Sequence, residues 1–572
     1  MKRRILCMAE TRVGHGTGHI RRCLEILTAI GDDDSGIYVP EIDNRISELI
    51  PQQYQIIKPE GKYDFVVLDK RRITADCMKQ LSSFGMTIGL DAQGPGRRMC
   101  DYLIDMLPQI TSKIEPNLRQ AGFLAQPKNR RAALPKHIDT ILLAFGGEDS
   151  LQLSSAMARV LVEKLSIQPE RISVLIGKAF SHQNYPDGVT CIRNCSNAKE
   201  IFANFDLVIG QFGLSLFEAS VAGCAVAAFH PSWYHKRLAD AAGFFSIGVR
   251  WVNKRRLHRF LRPGADISPL FLQENAQAQN LADFLLRLVP QGQLGSPLDG
   301  SKQNFAISRC AQESFFRCQQ TGLIYKQRYA PFTIEYTSDY FGQEYRQQYG
   351  KTYLQDFEKI QAMGMRRMAE IQKIHPRAGK ILDIGCAYGP FLQAAKDAAW
   401  QAFGIDISPA AVEHVQKNLK LPAIVADATD FDIYQAFSVK KMDVISMWYV
   451  IEHIADFDRL MRHINRSLEM GGVFAFSTPN GSGISARKNL NSFLCSGPQD
   501  HVLIFSAETV GKIFARYGFR LEKIVVTGHH PERFPYLGKS RLGRFIAALI
   551  SKLLGLGDTF EAYFSKTGDA PL

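Results

Sequence analysis

The chain has 572 residues, 46% hydrophobic and 22% charged, a balance that excludes a disordered chain, a collagen-like fibre or a disulfide-framework miniprotein. Lys+Arg number 69 against Asp+Glu 56, a formal charge of +13, which suits phosphates, nucleotide sugars, RNA or an anionic membrane surface. That charge is spread along the chain rather than blocked, so a solvated basic surface explains it more simply, and no apolar run has the length and composition of a spanning helix.

The length suits about three or four domains. The eleven cysteines show no framework spacing, and Cys7, Cys23 and Cys386 fall in apparent strands, helices or ligand loops. A reduced, cytoplasmic compartment is therefore expected. The N-terminus, MKRRILCMAE, reads as a first strand rather than a signal peptide, because it lacks an apolar core and a cleavage site.

In chain order, RRILCMA, DFVVLD, MTIGLD, DTILLAFGG, ISVLIG, DLVIGQ and CAVAAFH are nearly continuous apolar runs. Runs of this kind belong to strands buried on both faces of a parallel sheet. Helical stretches such as HIRRCLEILTAI alternate with them, so the architecture is α/β, built from βαβ units. Two such units are expected, 1–135 and 136–290.

The first strand runs into Val13-Gly-His-Gly-Thr-Gly-His-Ile-Arg-Arg-Cys23. Gly14, Gly16 and Gly18 allow a tight turn, and a helix starting near His19 offers free N–H groups to a phosphate or a sugar hydroxyl. His15 and His19 are available for proton transfer. Gly146 and Gly147 form a second glycine loop in LLAFGGEDS. In FDLVIGQFGLSLFEASVAG, Gly213 and Ser215 open a helix that can take a diphosphate, and Glu218 lies one turn in, placed for a ribose.

Composition changes near 290–330, where VPQGQLGSPLDGSKQN is rich in Gly, Pro and Ser, so 291–335 is expected to be a linker. Beyond it, over 336–572, the alternating pattern resumes. Lys380-Ile-Leu-Asp-Ile-Gly-Cys-Ala-Tyr-Gly389 is a buried strand, a glycine turn and a helix start. Asp383, Gly385, Cys386 and Gly389 belong to this frame, which reads DxGxxxG rather than GxGxxG. Asp406, followed by Ile407, ends the next strand, where a carboxylate can accept from ribose hydroxyls. VADATDF then sets Asp427 and Ala428 where an adenine amino group can be met. KMDVISMWYVIEHI carries Met447, Tyr449, Glu452 and His453, and QDHVLIFS carries His501. Both histidines are candidate general bases for a hydroxyl acceptor. Near the C-terminus, GKSRLGRFIAALISKLLGLG has an apolar face with basic flanks. It reads as a helix packed ahead of the final strand DTFEAYFS, with peripheral contact at a membrane interface as the other reading.

The order of motifs over 336–572 resembles the class I S-adenosylmethionine-dependent methyltransferases, particularly the quinone- and sugar-modifying type. That resemblance implies a mostly parallel seven-stranded sheet and S-adenosylmethionine as cofactor. It places Asp383 and Gly385 by the methionine moiety, Asp406 on ribose and Asp427 on adenine, with Met447, Tyr449, Glu452 and His453 on the methyl-transfer side. CAQESFFRCQQTGLIY resembles the zinc-knuckle leader of related enzymes, but only Cys310 and Cys318 remain of its two C-x-x-C pairs, so no metal is expected. YTSDYFGQEYRQQYGKTY resembles the aromatic segment that caps the cofactor pocket there; plain helical packing is the other reading.

GTGHIRRC, VVLDKR, IGLDAQGPGRRMCDYLIDMLP, LLAFGGEDS and DLVIGQFGLSLFEA together resemble the two-lobed GT-B fold. They match the spore-coat-polysaccharide glycosyltransferases and the nucleotide-sugar hydrolase of the pseudaminic acid pathway. In that hydrolase the histidine at the position of His19 is central to catalysis. Tyr234-His235 stands where relatives have Asn-Gln, and the diphosphate turn reads GQFG.

The combined expectation is a bifunctional enzyme of bacterial surface-glycan or nucleotide-sugar metabolism. It would methylate a sugar or glycan intermediate and would transfer or hydrolyse the sugar of a nucleotide sugar, UDP-linked or related. The alternative is a methyltransferase whose N-terminal half only binds substrate. No RNA-binding module or aromatic-basic motif is present, so no nucleic-acid partner is expected.

Overall fold

The computed structural model describes residues 3–10, 18–32, 34–38, 50–70, 72–110, 114–124, 127–147, 149–177, 180, 183–193, 195, 197–262, 280–332, 346 and 350–570. The chain divides into two compact units, Met1–Leu288 and Val289–Leu572.

Unit 1 contains two sheets. The first is formed by β1 (Ile5–Ala9), β2 (Gly36–Tyr38), β3 (Gln55–Ile56), β4 (Phe65–Asp69), β5 (Met86–Leu90), β6 (Tyr102–Asp105) and β7 (Leu118–Arg119). Its order is β3-β2-β1-β4-β5-β6-β7, with every pair parallel. Every residue of β1, β4 and β5 is buried, as the continuous apolar runs require. The second sheet contains β8 (Ile141–Ala144), β9 (Ile172–Leu175), β10 (Thr190–Ile192), β11 (Leu207–Gly210), β12 (Ala225–His230), β13 (Phe245–Val249) and β14 (Trp251–Val252). It repeats the order as β10-β9-β8-β11-β12-β13-β14, and only β14 is antiparallel. Both sheets are thus doubly wound, and the second places Gly146 and Gly147 just after its first strand, at the switch point.

Unit 2 begins with an antiparallel meander, β15 (Phe305–Cys310), β16 (Glu313–Arg317) and β17 (Ile324–Arg328). The large sheet follows: β18 (Lys380–Ile384), β19 (Gln401–Asp406), β20 (Ala423–Val425), β21 (Met442–Trp448) and β22 (Leu468–Pro479), then β24 (Phe519–Thr527) and β25 (Thr559–Lys566). Its order is β20-β19-β18-β21-β22-β25-β24, with β25 antiparallel to both neighbours. A short β23 (Leu503–Ile504) leaves this layer and pairs antiparallel with β17.

Three expectations need correction. Residues 291–335 are not a linker over their described part. Leu298, Ala306, Phe316, Cys318, Leu323 and Tyr325 are buried in the same core cluster as Leu382, Met447 and Phe476 of the large sheet. The Gly, Pro and Ser residues supply turns ahead of the meander, whose strands carry polar residues such as Ser308, Arg309, Ser314 and Gln327 at buried positions and so lack the continuous apolar signature. The cysteines are not all thiols, because Cys310 forms a disulfide with Cys495. Cys310 and Cys318 are therefore no pair of residual zinc ligands: the first is covalently engaged, and the second is buried in the core.

The third concerns the helix Arg541–Leu553. It packs through Gly543, Ala547, Ile550 and Ser551 but leaves Leu542, Phe545, Ile546, Leu549 and Leu553 exposed, so packing does not account for that second apolar face. The aromatic segment at 336–353 lies outside the described residues except for 346 and 350–353.

Candidate functional sites

In unit 2 the residues of the DxGxxxG frame meet at the C-terminal edge of the large sheet. Gly385 has φ +75°, and a Cβ there would lie 2.3 Å from Val450 Cγ2, so only glycine allows this turn to close against the segment after β21. Asp406 fastens it from the other side: its Oδ2 accepts from Ala387 N at 2.8 Å, and its Oδ1 accepts from Ser408 N at 2.8 Å. Burial raises the Asp406 carboxyl against these backbone hydrogen bonds. Asp383 is buried at the end of β18, accepts from Ser446 Oγ at 2.7 Å, and is pushed by burial up to about 7. The Ser446 hydrogen bond and the Arg367 charge offset burial only in part, and an ammonium group would supply a further countercharge.

Ile407, Val425 and Tyr449, at the ends of three strands of this sheet, are large apolar side chains left exposed. They form an open apolar edge beside two carboxylates, which fits a nucleoside with an ammonium tail. Asp427 is exposed, and its Oδ1 is occupied by Thr429 N and Oγ1 at 2.7 and 2.6 Å. Ala428 packs partly on the core. Cys386, Gly389 and Met447 reach this edge through backbone. The Cys386 side chain is buried in the core, a Cβ at Gly389 would clash with Leu419, and the Met447 side chain is fully buried. For Met447 this corrects the expectation of a side chain lining the site, since residues alternate sides along β21.

Beyond β21, Tyr449 holds φ +59°, an unfavourable region for a bulky residue. The chain then turns so that Glu452 and His453 face the loop carrying Asp500 and His501. His453 Nδ1 is 2.9 Å from Asp500 Oδ2. The His453 and His501 rings lie edge to face with centroids 4.8 Å apart. Burial opposes charge on His453, but the Asp500 hydrogen bond and the Glu452 and Asp500 charges outweigh it, so its pKa is raised. Burial and the neighbouring His453 lower His501 to about 4. Burial also pushes Glu452 up to about 7. Glu452, His453 and His501 each bring one ligand atom within 4.8 Å of the others, a group able to hold a cation. The expectation of no metal rested on the depleted cysteine pairs and did not anticipate this group.

The loop with Asp500 and His501 is carried by the meander. Lys326 N donates to Val502 O at 2.8 Å, and Lys326 Nζ donates to Gln499 O at 2.9 Å. Arg328 also donates to Gln499 O, and the Cys310–Cys495 disulfide ties the preceding helix to β15. Asp500 and Lys326 were not read from sequence, because neither belongs to a local motif. Arg367, whose Nε is 2.8 Å from Glu561 Oε1 and whose guanidinium covers Trp448, was also missed.

In unit 1, Gly16 lies outside the described residues. Helix α1 (Gly18–Ile30) follows β1, and α2 (Leu214–Val221) follows β11. Their N-termini approach each other, since a Cβ at Gly18 would lie 3.1 Å from Leu214 Cδ1. His19 Nδ1 is 2.6 Å from Asp69 Oδ1. Asp69 also accepts from Arg22 Nε at 2.6 Å, and Arg22 Nη1 reaches Asp91 Oδ2 at 2.8 Å. Burial opposes the Asp69 charge, yet Arg22 and His19 hold its carboxyl down to about 2. Gly213 and Ser215 flank the start of α2, and Gly146 has φ +83° beside Gly147. Glu218, expected to meet a ribose, is instead buried with Arg21 Nη2 3.8 Å away, and burial raises its carboxyl. A cavity of about 600 Å³ in this unit is lined in part by Met106, Arg119, Phe217 and Asp240; none of the predicted nucleotide-sugar residues lines it.

Comparison with known proteins bears on unit 2. A methyltransferase domain family matches residues 355–524. A probable S-adenosylmethionine-dependent methyltransferase of Mycolicibacterium smegmatis is 27% identical over 159 residues, 27% of this chain and 58% of that protein. A ubiquinone biosynthesis O-methyltransferase of Histophilus somni is 27% identical over 133 residues, 22% of this chain and 56% of its own. This chain thus spans rather more than half the length of these curated relatives. A solved S-adenosylmethionine-dependent methyltransferase from Archaeoglobus fulgidus covers 39% of this chain and 98% of its own at 19% identity, with a TM-score of 0.29. The region 355–524 is a class I S-adenosylmethionine-dependent methyltransferase domain, with S-adenosylmethionine as its cofactor.

Proposed function

We propose that unit 2 methylates a hydroxyl of a sugar or glycan intermediate, and that unit 1 binds a nucleotide sugar, UDP-linked or related, and transfers or hydrolyses its sugar. The observation that carries the first part is the His453–Asp500 pair beside the cofactor edge. Bound S-adenosylmethionine supplies an electrophilic methyl group on a sulfonium centre. Asp406 would hold its ribose, Asp427 its adenine edge, and Asp383 its ammonium. Asp500 fixes the His453 ring through Nδ1, which leaves Nε2 to take the acceptor's proton. His501, neutral across the physiological range, is the weaker base and serves better as a neutral neighbour.

For unit 1, what supports the reading is the GT-B-like pair of doubly wound sheets, with the helix N-termini at Gly18 and Leu214 close together. His19 against Asp69 repeats the histidine–carboxylate arrangement of a general base. Fold likeness alone does not establish chemistry, and the joining of the two activities in one pathway is inferred from their fusion.

The test is mass spectrometry of small molecules copurifying with the full chain, followed by incubation with methyl-tritiated cofactor and a panel of nucleotide sugars. Label in a sugar product and release of a nucleoside diphosphate support both halves. Binding of nucleotide sugars without turnover leaves unit 1 as a substrate-binding module. No binding of cofactor sinks the assignment for unit 2.

A further inference from the structure

The helix α3 (Arg541–Leu553) lies in the segment between β24 and β25, and Ser540 caps it by accepting from Gly543 N. Two stripes run along it. Gly543, Ala547 and Ser551 recur at four-residue intervals and are buried. A Cβ at Gly543 would lie 2.2 Å from Leu537 O, so this narrow face packs at backbone distance. The other stripe carries Leu542, Phe545, Ile546, Leu549 and Leu553, which share one face at helical spacing. These side chains point to solvent: Leu542 is 71% exposed, Phe545 64% and Leu553 83%. Leu554 and Tyr536 extend the exposed apolar surface. A helix serving only its own core turns its large apolar residues inward; this one does the reverse.

Charge identifies what covers the face. From Arg533 to Gly557 there is no Asp or Glu, while Lys539, Arg541, Arg544 and Lys552 lie on or beside the helix. None of these four carries an ion pair among the described residues. Arg541, Arg544 and Lys552 fall along one flank of the exposed stripe, at the boundary between apolar and wet surface. This is the arrangement of a helix lying in the plane of a bilayer, with its apolar side in the acyl boundary and its basic side at anionic headgroups.

The position suits it. Thr559 at the start of β25 pairs with Pro479 and Thr527, and Pro479 closes β22. The segment bearing α3 therefore leaves the sheet from the C-terminal edge, the edge that also bears Asp406 and Tyr449.

We propose that α3 docks this protein on an anionic membrane surface, with Leu542, Phe545, Leu549 and Leu553 inserted among the acyl chains and Lys539, Arg541, Arg544 and Lys552 against the headgroups. The proposal stands on α3 itself and does not depend on the identity of the methyl acceptor.

Co-sedimentation of the full chain with vesicles tests it. Phosphatidylcholine vesicles containing phosphatidylglycerol should pull down the protein, and pure phosphatidylcholine should not. The double variant F545S/L549S should weaken binding at least about tenfold. The double variant R541Q/R544Q should lose about fivefold per charge, equivalent to about 1 kcal/mol each, and should lose the preference for anionic lipid. Calorimetry with S-adenosylmethionine, unchanged in both variants, shows that unit 2 remains folded. Wild-type protein that ignores anionic vesicles, or an apolar variant that binds them as well as wild type, overturns the proposal. So does a wild-type dimer that F545S/L549S converts to monomer without any vesicle binding, because the face then belongs to a second copy.

Discussion

His453 Nδ1 lies 2.9 Å from Asp500 Oδ2, a contact made across two loops that are 47 positions apart in sequence. It links the segment after β21 to the loop held by the meander, and it ties the histidine's titration to that loop. Burial alone would lower His453, and Asp500 together with the Glu452 charge reverses the sign. In an NMR titration His453 should therefore titrate above ordinary histidine and His501 near 4. Asp500→Asn should lower the His453 pKa, since burial is then opposed chiefly by the Glu452 charge. On the acceptor found by the tritium assay, His453→Ala should lower kcat about 10²–10³-fold, with cofactor affinity within about twofold. The base must be neutral, so the rate rises with pH through the His453 pKa, and Asp500→Asn should shift that limb to lower pH.

Asp383 gives a prediction in which stability and binding move in opposite directions. Burial raises its folded pKa from the ordinary carboxylate value to about 7. It therefore favours folding below the unfolded pKa, and this contribution is lost as pH rises through about 7. Asp383→Asn removes that cost of a buried charge. At pH 8 the cofactor-free variant should be more stable by on the order of 1–3 kcal/mol in denaturant melts. It should also bind S-adenosylmethionine at least tenfold more weakly by calorimetry, because the ammonium loses its partner. Equal stability of variant and wild type at pH 8 would remove Asp383 as a strained buried acid.

The cofactor frame was legible in sequence because its determinants are local. A short continuous apolar run, an acidic strand end and glycines at positive φ follow one another within a few residues at 380–389, and an apolar run with an acidic end recurs at 401–406. The proposed catalytic side was legible only in half. His453 and His501 follow strands and could be read, but Asp500 gains its role only when β23 pairs with β17, a contact between residues far apart in the chain. The meander was hidden for a related reason: short strands with polar residues such as Arg309, Ser314 and Gln327 at buried positions, behind a stretch rich in Gly, Pro and Ser, look like linker. Met447 was assigned to the site by motif, although strand alternation sends its side chain into the core. The outward face of α3 was unreadable because periodicity shows that a helix has two faces without saying which one packs. Gly543, Ala547 and Ser551 were the missing clue.

Lys326 tests whether the meander supports the site. Its side chain is buried, and its ammonium donates to Gln499 O at 2.9 Å, next to Asp500. Lys326→Met keeps the volume and removes the donor. The loss should cost about 0.5–1.5 kcal/mol, the net worth of one hydrogen bond, because Arg328 still donates to Gln499 O. It should lower methyl transfer about tenfold while leaving cofactor affinity unchanged, since Asp383 and Asp406 lie on other strands. The His501 pKa should rise, because the Lys326 charge helps to lower it. An unchanged His501 titration together with unchanged turnover would show that the loop holds its own shape.

In unit 1, His19 and Asp69 separate chemistry from folding. Asp69 is fully buried and holds both His19 and Arg22, while Arg22 also reaches Asp91. Asp69→Asn weakens the countercharge of a buried guanidinium, and removing one partner of such a pair costs about 3–5 kcal/mol. This variant should unfold unit 1 at lower denaturant and report little about catalysis. His19→Ala leaves the Arg22–Asp69–Asp91 network in place, so the melting temperature should change little. It should abolish nucleotide-sugar turnover by at least about 10²-fold while nucleotide affinity falls less. Acid behaviour follows from the same pair. The Asp69 pKa is depressed to about 2 in the folded chain, so its stabilisation is present above the ordinary carboxylate pKa and is lost as pH falls through about 2. Wild-type unit 1 should thus lose stability steadily between about pH 4 and pH 2, and Asp69→Asn should show a flatter profile over that window. If His19→Ala turns over nucleotide sugars as fast as wild type, the general-base reading of this site fails, whatever Asp69 does to the fold.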